Sequence, residues 1–434
     1  MSITVEVDRC FICSGTKLVE ILNLGNQPMS GVFPLPSEQD PVSSPLTLMQ
    51  CVSTNPQLKT CGNIQLKHKA NFSDMYGLNY GYNSSLSPLM LEHLAQIAEK
   101  AKSHITINKE DFILDIGCND GSFLNLFKSQ TKNLVGVDPS SAKFSEIAPK
   151  EATIFVDYFP SPKIDEFMGN RKFKMISSIA MFYDLEDPFY FMKSLHSSLM
   201  EDGLWVVELS EFKEFLKNLS YDQICHEHLL YIDADLLINM AAKIGFELLE
   251  ISYSEINGGS ACYYFRKGLP DESINCQSGA TPKQLESLKF RVEQNKNEVV
   301  NYLNALKIQG KSVYGYGAST KGNVLANFYG LDLTLMQLVS DTNPFKWGRV
   351  TPGPRIPIIS HDEMRKSPPD FLFVFIWHLR SEVLKNEWEF IEKGGSIILP
   401  LPRLHIIDRN NYHLFVGRDL NDLAFDISSV DLTI

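Results

Sequence analysis

The chain has 434 residues, of which 44% are hydrophobic and 21% are charged, and its formal net charge is -12. At roughly 100–200 residues per domain, this length predicts two or three globular domains with buried cores. The negative charge argues against a nucleic-acid-binding surface. The first ten residues lack the basic and apolar segments of a signal peptide, and the longest strongly apolar run, Phe371 to Trp377, is far shorter than the ~20 residues of a membrane span. We therefore expect a cytoplasmic protein with neither a membrane nor a nucleic-acid partner.

Cysteines are concentrated near the start of the chain, where four of the eight occur: Cys10, Cys13, Cys51 and Cys61. Disulfides are not expected in a reducing compartment. A C-x2-C pair is the commonest first half of a tetrahedral thiolate site, although the second pair here is more widely spaced than usual. We predict a structural zinc ion, because four thiolates leave no open position for catalysis. Four buried thiols without a metal are the alternative.

A glycine-rich turn lies within a region of alternating strands and helices. Parallel, buried strands are predicted from apolar runs at Phe112–Ile116, Leu134–Val137, Met175–Ile179 and Leu204–Val207. The first strand leads into a D-x-G-x-x-x-G turn, whose candidate ligand-binding residues are Asp115, Gly117, Asn119 and Gly121. Ligands bind beyond the carboxyl ends of such strands. The spacing lacks the tight pyrophosphate cradle of dinucleotide enzymes.

Two further acidic residues follow the turn at the intervals of an adenosine site. Asp138 ends the next strand about twenty residues later, where a carboxylate can accept both ribose hydroxyls. Asp157 follows the run Thr153–Val156 and is placed to meet an adenine amino group. The order of these features resembles class I methyltransferases and favours S-adenosylmethionine as the ligand. A Rossmann-type turn for another adenosine ligand, or for no ligand, is the alternative.

A segment with two histidines, YDQICHEHLLY at Tyr221–Tyr231, follows the strand that contains LWVVELS. The spacing of His226, Glu227 and His228 is too tight for the zinc helix H-E-x-x-H, so we do not interpret it as a metal site. A histidine beside a glutamate offers general-base chemistry near neutral pH. A histidine pair by itself is more often structural.

A second α/β unit is predicted after a polar linker at Lys267 to Ala280. Thr281 as N-cap and Pro282 at the first helical position begin a helix that runs to about Ile308. The strands of this unit are predicted at Ser312–Tyr316, Met336–Ser340, Asp370–Phe375 and Ser396–Leu399.

The strand ends of this second unit carry candidate anion ligands. The stretch YGYGASTKGN at Tyr314–Asn323 follows a strand and opens a helix, so its backbone amides and the helix dipole suit an anion. The candidate substrate-binding residues of the unit are Ser319, Thr320, Lys321, Asn343, Trp377 and His378. The alternative is a scaffold domain in which the glycines only turn the chain. An NAD-dependent oxidoreductase is disfavoured, because G-x-G-x-x-G is missing and no clear acidic ribose partner is evident.

Over nearly its full length the chain resembles the sugar C-methyltransferases that act on nucleotide-linked keto-sugars in deoxysugar biosynthesis. The resemblance is carried by CGNIQL at Cys61–Leu66, YGYNSS at Tyr80–Ser85, CHEHL at Cys225–Leu229 and YGYGASTKGN at Tyr314–Asn323. It implies an α/β protein with three parts. These are a small zinc-binding domain at 1–70, a class I methyltransferase domain with a doubly wound sheet at 71–280, and a C-terminal Rossmann-like domain that binds the nucleotide-sugar at 281–434.

The resemblance also implies roles for individual residues. His228 matches the favoured base, and Glu227 matches the acid that orients the sugar or the base. Tyr82 matches a tyrosine that lines the active site and is our candidate to stabilise an enolate oxygen, while the donor's carboxylate is expected at Ser84 or Ser85. Tyr80, in the same stretch, is a further candidate for donor binding.

The chain departs from the family pattern at two positions. Cys225 stands where the better-known members have a tyrosine, and we interpret it as a small apolar filler. Tyr183 stands where they have a histidine after the fourth strand, and it remains a candidate substrate-binding residue. The turn Asn257–Ser260 is expected to border the sugar.

These features together predict an S-adenosylmethionine-dependent C-methyltransferase for a nucleotide-linked keto-sugar. His228 would remove a proton beside the ketone, and the resulting enolate carbon would take the methyl group. An O- or N-methyltransferase on a sugar nucleotide is the nearest enzymatic alternative. A non-catalytic protein that binds sugar nucleotides is the alternative from another class.

Overall fold

The structure is a computed structural model that describes residues 4–52, 61–70, 85, 87–144 and 149–418. The strands of the described residues are β1 (Thr4–Glu6), β2 (Leu18–Pro28), β3 (Ser43–Cys51), β4 (Ile64–Leu66), β5 (His68–Ala70), β6 (Phe112–Ile116), β7 (Leu134–Val137), β8 (Thr153–Phe155), β9 (Phe173–Ile179), β10 (Leu199–Ser210), β11 (Leu230–Tyr231), β12 (Phe246–Ser254), β13 (Ser260–Lys267), β14 (Val313–Tyr316), β15 (Val339–Asp341), β16 (Ile358–Ser360), β17 (Phe371–Val374), β18 (Ser396–Leu399) and β19 (His405–Ile407). The α-helices are α1 (Pro88–His104), α2 (Ser122–Asn125), α3 (Pro162–Met168), α4 (Pro188–Ser198), α5 (Phe212–Asn218), α6 (Ala234–Ile244), α7 (Pro282–Ile308), α8 (Thr320–Phe328), α9 (His361–Lys366), α10 (Arg380–Asn386) and α11 (Trp388–Glu392).

The described residues from Thr4 to Ala70 form a part of the chain that we call the head. It is built on an antiparallel sheet with the strand order β11-β4-β3-β2. Its edge strand β11 does not come from the N-terminal region. Leu230 pairs with Gln65 and Tyr231 pairs with Ile64, so the end of the histidine-containing segment completes the sheet of the head. The amide of Leu66 also donates to the carbonyl of Leu229 at 2.9 Å.

A seven-stranded sheet forms the centre of the molecule, with the order β12-β13-β10-β9-β6-β7-β8. The strands from β10 to β8 are parallel, and β13 runs antiparallel to both of its neighbours. On one face, Leu94 and Ile97 of α1 pack near Ile113 of β6; on the other, Phe191 of α4 packs near Trp205 of β10. Helices cover both faces, so the predicted doubly wound sheet is confirmed. The strand order reverses at β6, and ligands of such sheets bind at that point.

The C-terminal unit contains a six-stranded sheet with the order β16-β15-β14-β17-β18-β19, parallel except for β19. It is preceded by α7, which begins with Thr281 as N-cap and Pro282 at the first helical position, as predicted. The structure adds a capping box between Thr281 and Gln284. The predicted strand Met336–Ser340 was wrong at its start. The amide of Met336 donates to the carbonyl of Asp332 within a turn, so the strand begins only at Val339.

The three parts of the chain meet around the histidine-containing segment. The side-chain amide of Asn323 on α8 donates to the carbonyl of Ser30 in the head at 2.7 Å. Tyr221, at the start of the segment, donates to Asn295 of α7 at 2.6 Å, and the hydroxyl of Tyr329 lies 2.7 Å from that of Tyr221. These buried contacts fix the C-terminal unit against both other parts. In the portion of the chain that the structure describes, no helix combines the length and apolar character needed to cross a membrane.

Candidate active site

The D-x-G-x-x-x-G turn has an unusual backbone. Gly117, Asn119 and Gly121 all adopt positive φ angles, of 75°, 48° and 77°. A side chain is disfavoured at Gly117 by this angle and also by space, because an added Cβ would lie 3.1 Å from Cγ of Met181. The sequence-based expectation of a sharp turn between β6 and α2 is therefore confirmed.

Asp138, at the end of β7, holds this turn closed. Its carboxylate accepts hydrogen bonds from the amide of Asn119 at 2.9 Å and from the amide and hydroxyl of Ser140, both at 2.6 Å. A carboxylate offers about four acceptor positions, so a bound ribose would share Asp138 with Ser140. The side chain lies at the strand edge where the sequence predicted a ribose partner.

Asp115 lies beneath the same turn and is fully buried. The hydroxyl of Ser177 donates to it at 2.7 Å. Burial is the largest effect on the pKa of Asp115 and raises it, the hydrogen bond from Ser177 lowers it, and the negative charges of Asp138 and Asp120 raise it. The resulting pKa is about 7. Three carboxylates therefore converge at this strand edge, and such a site favours a ligand that carries a positive charge.

The remaining residues proposed for donor binding divide into two groups. Asp157 is partly exposed and accepts a hydrogen bond from Ser161 at 2.9 Å, which together with the amide of Tyr158 lowers its pKa. Three predicted residues lie outside the described part of the chain: Tyr80, Tyr82 and Ser84. Ser85, which ends the same stretch, donates its amide to Asp120 at 2.8 Å, so the stretch ends beside the donor turn.

Within the histidine-containing segment, His226 and Glu227 have different surroundings. The Nε2 of His226 lies 3.2 Å from the carbonyl of Ser44, and burial lowers the pKa of this histidine to about 4. Glu227 is 5% exposed, burial raises its pKa, and its Oε2 has no hydrogen-bond partner among the described residues. An added Cβ at Gly31 of the head would lie 2.5 Å from Oε1 of Glu227. Gly31 thus shapes the site, a contribution that sequence analysis missed.

His228 lies against Tyr183 of the central domain, and Lys321 of the C-terminal unit is near enough for its charge to act on the histidine. Its ring lies against that of Tyr183, with centroids 4.2 Å apart, and both line a small cavity of about 10 Å³ together with Ser210 and Tyr231. Burial and then the charge of Lys321 lower the pKa of His228 to about 3. The imidazole is therefore neutral at pH 7 and can accept a proton. Cys225 is buried and burial raises the pKa of its thiol, which agrees with an apolar filler.

Several predicted substrate-binding residues of the C-terminal unit lie close to the histidine-containing segment. Thr320 lies near Glu227, because a Cβ added at Gly31 would be 3.6 Å from the hydroxyl of Thr320 and 2.5 Å from Oε1 of Glu227. The Trp377 indole donates to Asp222 at 2.8 Å. Burial, and then the charge of Lys321, lower the pKa of His378, whose Nδ1 has no partner among the described residues. The structure thus brings Thr320, Trp377 and His378 to the segment that contains His228.

Two other predicted residues act locally in the structure. Ser319 caps α8, since its hydroxyl accepts from the amide of Gly322 at 2.9 Å. The side chain of Asn343 accepts from the amide of Phe345 at 3.0 Å. Beside them, Asp341 ends β15 next to the loop within Tyr314–Asn323. Lys346 pairs with Asp341 at 3.3 Å. The strand ends one residue later than predicted, so its last residue is the acidic Asp341.

The four cysteines of the head form one cluster. The sulfurs of Cys10, Cys13, Cys51 and Cys61 all lie within 4.8 Å of one another. Sulfurs bound to one tetrahedral zinc at about 2.3 Å would be roughly 3.8 Å apart. The sulfur of Cys10 also accepts from the amide of Ile12 at 3.4 Å and from Asn63 at 3.8 Å, and such donors suit a thiolate. The donor set can therefore hold a zinc ion.

Comparisons with known proteins match two separate stretches of the chain. The family described as a methyltransferase domain matches residues 82–251, and the family described as the C-methyltransferase C-terminal domain matches residues 275–402. The chain is an S-adenosylmethionine-dependent methyltransferase. The methyltransferase is 25% identical over 417 residues to the C-methyltransferase NovU of Streptomyces niveus, covering 92% of this chain and 97% of that one.

Solved structures of methyltransferases are similar to part of this methyltransferase. The N-methyltransferase NodS of Bradyrhizobium japonicum, solved with S-adenosyl-L-homocysteine, is 15% identical with a TM-score of 0.32 and covers 42% of this chain and 88% of its own. The methyltransferase of a Haloferax volcanii complex with the activator Trm112 is 12% identical with a TM-score of 0.35, covering 42% of this chain and 92% of its own.

Proposed function

We propose that this methyltransferase transfers a methyl group from S-adenosylmethionine to a carbon of a nucleotide-linked keto-sugar, with His228 as the base. One observation carries the proposal. The neutral imidazole of His228 packs against the ring of Tyr183 and lies close enough to Lys321, at the start of α8, for its charge to lower the pKa of the histidine. The relative named as a C-methyltransferase supports methylation at carbon.

The methyl donor is proposed to bind at the carboxyl edge of the central sheet. The residues that would hold it are Asp115, Gly117, Asn119, Gly121, Asp138 and Asp157, with Tyr80 and Ser84 from the stretch before α1. S-adenosylmethionine supplies an electrophilic methyl group on a positively charged sulfur. The three converging carboxylates around Asp115 suit that charge, which supports the assignment.

The sugar nucleotide is proposed to bind between the C-terminal unit and the histidine-containing segment. The α8 N-terminus presents amides, which suit a diphosphate. The candidate contacts of the sugar nucleotide are Ser319, Thr320, Lys321, Asn343, Trp377 and His378. The position of Asp341 at the end of β15 supports the addition of this carboxylate as a partner for the ribose hydroxyls.

The chemistry follows from the acidity of a hydrogen beside a ketone. His228 takes that proton, the electrons of the carbon–hydrogen bond form a carbon–carbon double bond, and the ketone oxygen becomes an enolate oxygen. Base catalysis of this kind contributes about 10²–10⁴-fold. A pKa of about 3 makes free His228 a weak base, but a neighbouring enolate anion stabilises the imidazolium that forms. Glu227 is proposed to orient the sugar, and Tyr82 remains the predicted partner of the enolate oxygen.

A structural zinc ion in the head completes the proposal. The geometry of Cys10, Cys13, Cys51 and Cys61 supports four thiolate ligands, which would stabilise the head without taking part in methyl transfer. A cytoplasmic location stays a prediction.

The function is tested by incubating the protein with S-adenosylmethionine and a panel of thymidine- and uridine-diphosphate keto-deoxyhexoses. We expect one product with a new methyl group on carbon and one ring hydrogen fewer, identified by mass spectrometry and NMR. A methyl group on oxygen or nitrogen, with every ring hydrogen retained, would contradict carbon methylation and leave the donor site intact.

A further inference from the structure

Lys321 occupies a partly buried position at the first turn of α8. Its ammonium donates to the carbonyl of Asn257 at 3.0 Å and to the side-chain oxygen of Asn257 at 3.3 Å. Both acceptors are neutral oxygens, and they belong to the turn between β12 and β13 of the central sheet. A lysine of the C-terminal unit therefore projects into the central domain.

The charge of Lys321 has no anion in direct contact. Across the described stretches of the chain, no carboxylate lies within 4.0 Å of its ammonium. Asp222 is near enough to raise the pKa of Lys321, but burial is the larger effect and lowers it. A cation that is partly withdrawn from water and has no paired anion is less favourable than a solvated or paired one. The arrangement is therefore suited to an anion that arrives or forms during the reaction.

The surroundings of Lys321 identify the end of the substrate that it faces. Its charge lowers the pKa values of His228 and His378 and acts on Cys225, so the ammonium lies on the side of the histidine-containing segment. Thr320, the preceding residue, lies near Glu227. A diphosphate at a helix N-terminus is bound by main-chain amides. A lysine that lies on the side of His228 is not required for that contact.

The partner of Lys321 is itself held in place. Asn257 has a φ of 61°, which is uncommon for a residue other than glycine. Gln223 donates to its carbonyl at 2.9 Å, and Asn218 and Ser220 both donate to the carbonyl of Gly258, at 3.0 Å and 2.8 Å. The turn is thus fixed by residues next to the histidine-containing segment. Donors fixed before the reaction stabilise developing charge most effectively.

We propose that Lys321 is a catalytic residue whose ammonium donates a hydrogen bond to the ketone oxygen of the sugar and stabilises the enolate oxygen. This inference rests on the proposed function. As His228 takes the proton, the carbonyl π electrons move to the oxygen beside Lys321. The enolate electrons then form the new carbon–carbon bond to the methyl group, the carbonyl reforms, and the donor sulfur keeps the electrons of its broken bond. The proton on His228 finally passes to solvent.

The test compares Lys321→Met with Lys321→Arg and with Lys366→Met, which changes an exposed lysine of the same unit. Thymidine diphosphate, which has no ketone, is bound by each variant in a calorimeter. Exchange of sugar hydrogens with deuterated water is followed by NMR for a thymidine diphosphate keto-deoxyhexose that the wild type methylates. We expect Lys321→Met to bind thymidine diphosphate within about twofold of wild type and to lose about 10²–10³-fold in exchange and in kcat. Lys321→Arg should recover part of that loss.

A tenfold weaker affinity of Lys321→Met for thymidine diphosphate would place the lysine at the diphosphate and overturn the inference. Exchange at the wild-type rate would overturn it as well. If Lys321→Met does not fold, Asn257→Gly answers the question, because glycine accepts the left-handed backbone and removes one of the two acceptors. That variant should slow exchange several-fold with thymidine diphosphate affinity unchanged, and unchanged exchange would contradict the inference. A wild type that neither exchanges nor methylates any sugar of the panel would instead reject the proposed function.

Discussion

The ring of Tyr183 lies against the imidazole of His228, with centroids 4.2 Å apart and the ring planes inclined by 51°. Tyr183 follows β9 and His228 precedes β11, so the contact joins the central sheet to the strand that completes the head. In the family that the sequence resembles, a histidine stands at position 183. Here a phenol ring takes the place of that imidazole beside the proposed base.

This contact predicts a ring-dependent effect on turnover. Tyr183→Ala should lower kcat about 3–10-fold, because an aromatic pair contributes about 0.5–1.5 kcal/mol and the freed imidazole would lose its orientation. Tyr183→Phe keeps the ring and serves as the matched control, with kcat close to wild type. Steady-state kinetics would check both. Equal losses in the two variants would show that the hydroxyl, not the ring, is what matters.

His228→Asn should bind both substrates nearly normally and turn over about 10²–10⁴-fold more slowly, since a base acts only in the transition state. It should also lose hydrogen exchange at the sugar. The control is His226→Gln, which disturbs a histidine bound to the carbonyl of Ser44 and should reduce stability more than chemistry. Wild-type turnover in His228→Asn would remove the base assignment and make Glu227 the next candidate.

Asp138→Ala should weaken binding of S-adenosylhomocysteine strongly, because losing a charged acceptor costs about 1.5–3 kcal/mol. Titration calorimetry measures this directly. Asp157→Ala, at a more exposed carboxylate, should have a smaller effect. If affinity in Asp138→Ala stays unchanged, the carboxylate serves only to close the turn through Asn119 and Ser140.

The raised pKa of Asp115 predicts that the donor and its demethylated product bind with different pH dependences. Its pKa is raised to about 7, so it is mostly protonated below that pH and ionised above it. The positively charged donor should therefore bind more tightly as pH rises from 6 to 8, about tenfold for a fully coupled charge. The neutral thioether product should show little change, and Asp115→Asn should remove the difference. Parallel pH profiles for both ligands would contradict the prediction.

Metal analysis should find about one zinc per chain, and Cys13→Ser should lose it. Because β11 of the histidine-containing segment belongs to the sheet of the head, zinc loss should reduce kcat more than donor affinity. Cys262→Ser, at a buried cysteine of the central sheet, is the control and should keep its zinc. An active, folded protein without metal would reject the structural role.

Local patterns in the sequence predicted local structure well. Residues close in sequence, or matching in chemistry, produce the turn at Gly117, the N-cap at Thr281 and the cluster of four cysteines, so these features could be recognised directly. The contacts that build the site join distant residues. Tertiary packing, which has no periodic signature in the sequence, produces these contacts. They are Gly31 with Glu227, Lys321 with Asn257 and Leu230 with Gln65. The burial that shifts the pKa of His228 has the same origin.

The pairing of Leu230 with Gln65 also has a consequence for synthesis of the chain on the ribosome. Domains usually fold in order from the N-terminus as they emerge. Here the head emerges first, yet β4 lacks its neighbour on one side until the chain beyond Tyr231 has been made. An unpaired strand edge can join other chains, and the shortness of β4, only Ile64–Leu66, limits that hazard. Nascent chains stopped before residue 230 should therefore contain a head whose sheet is still open.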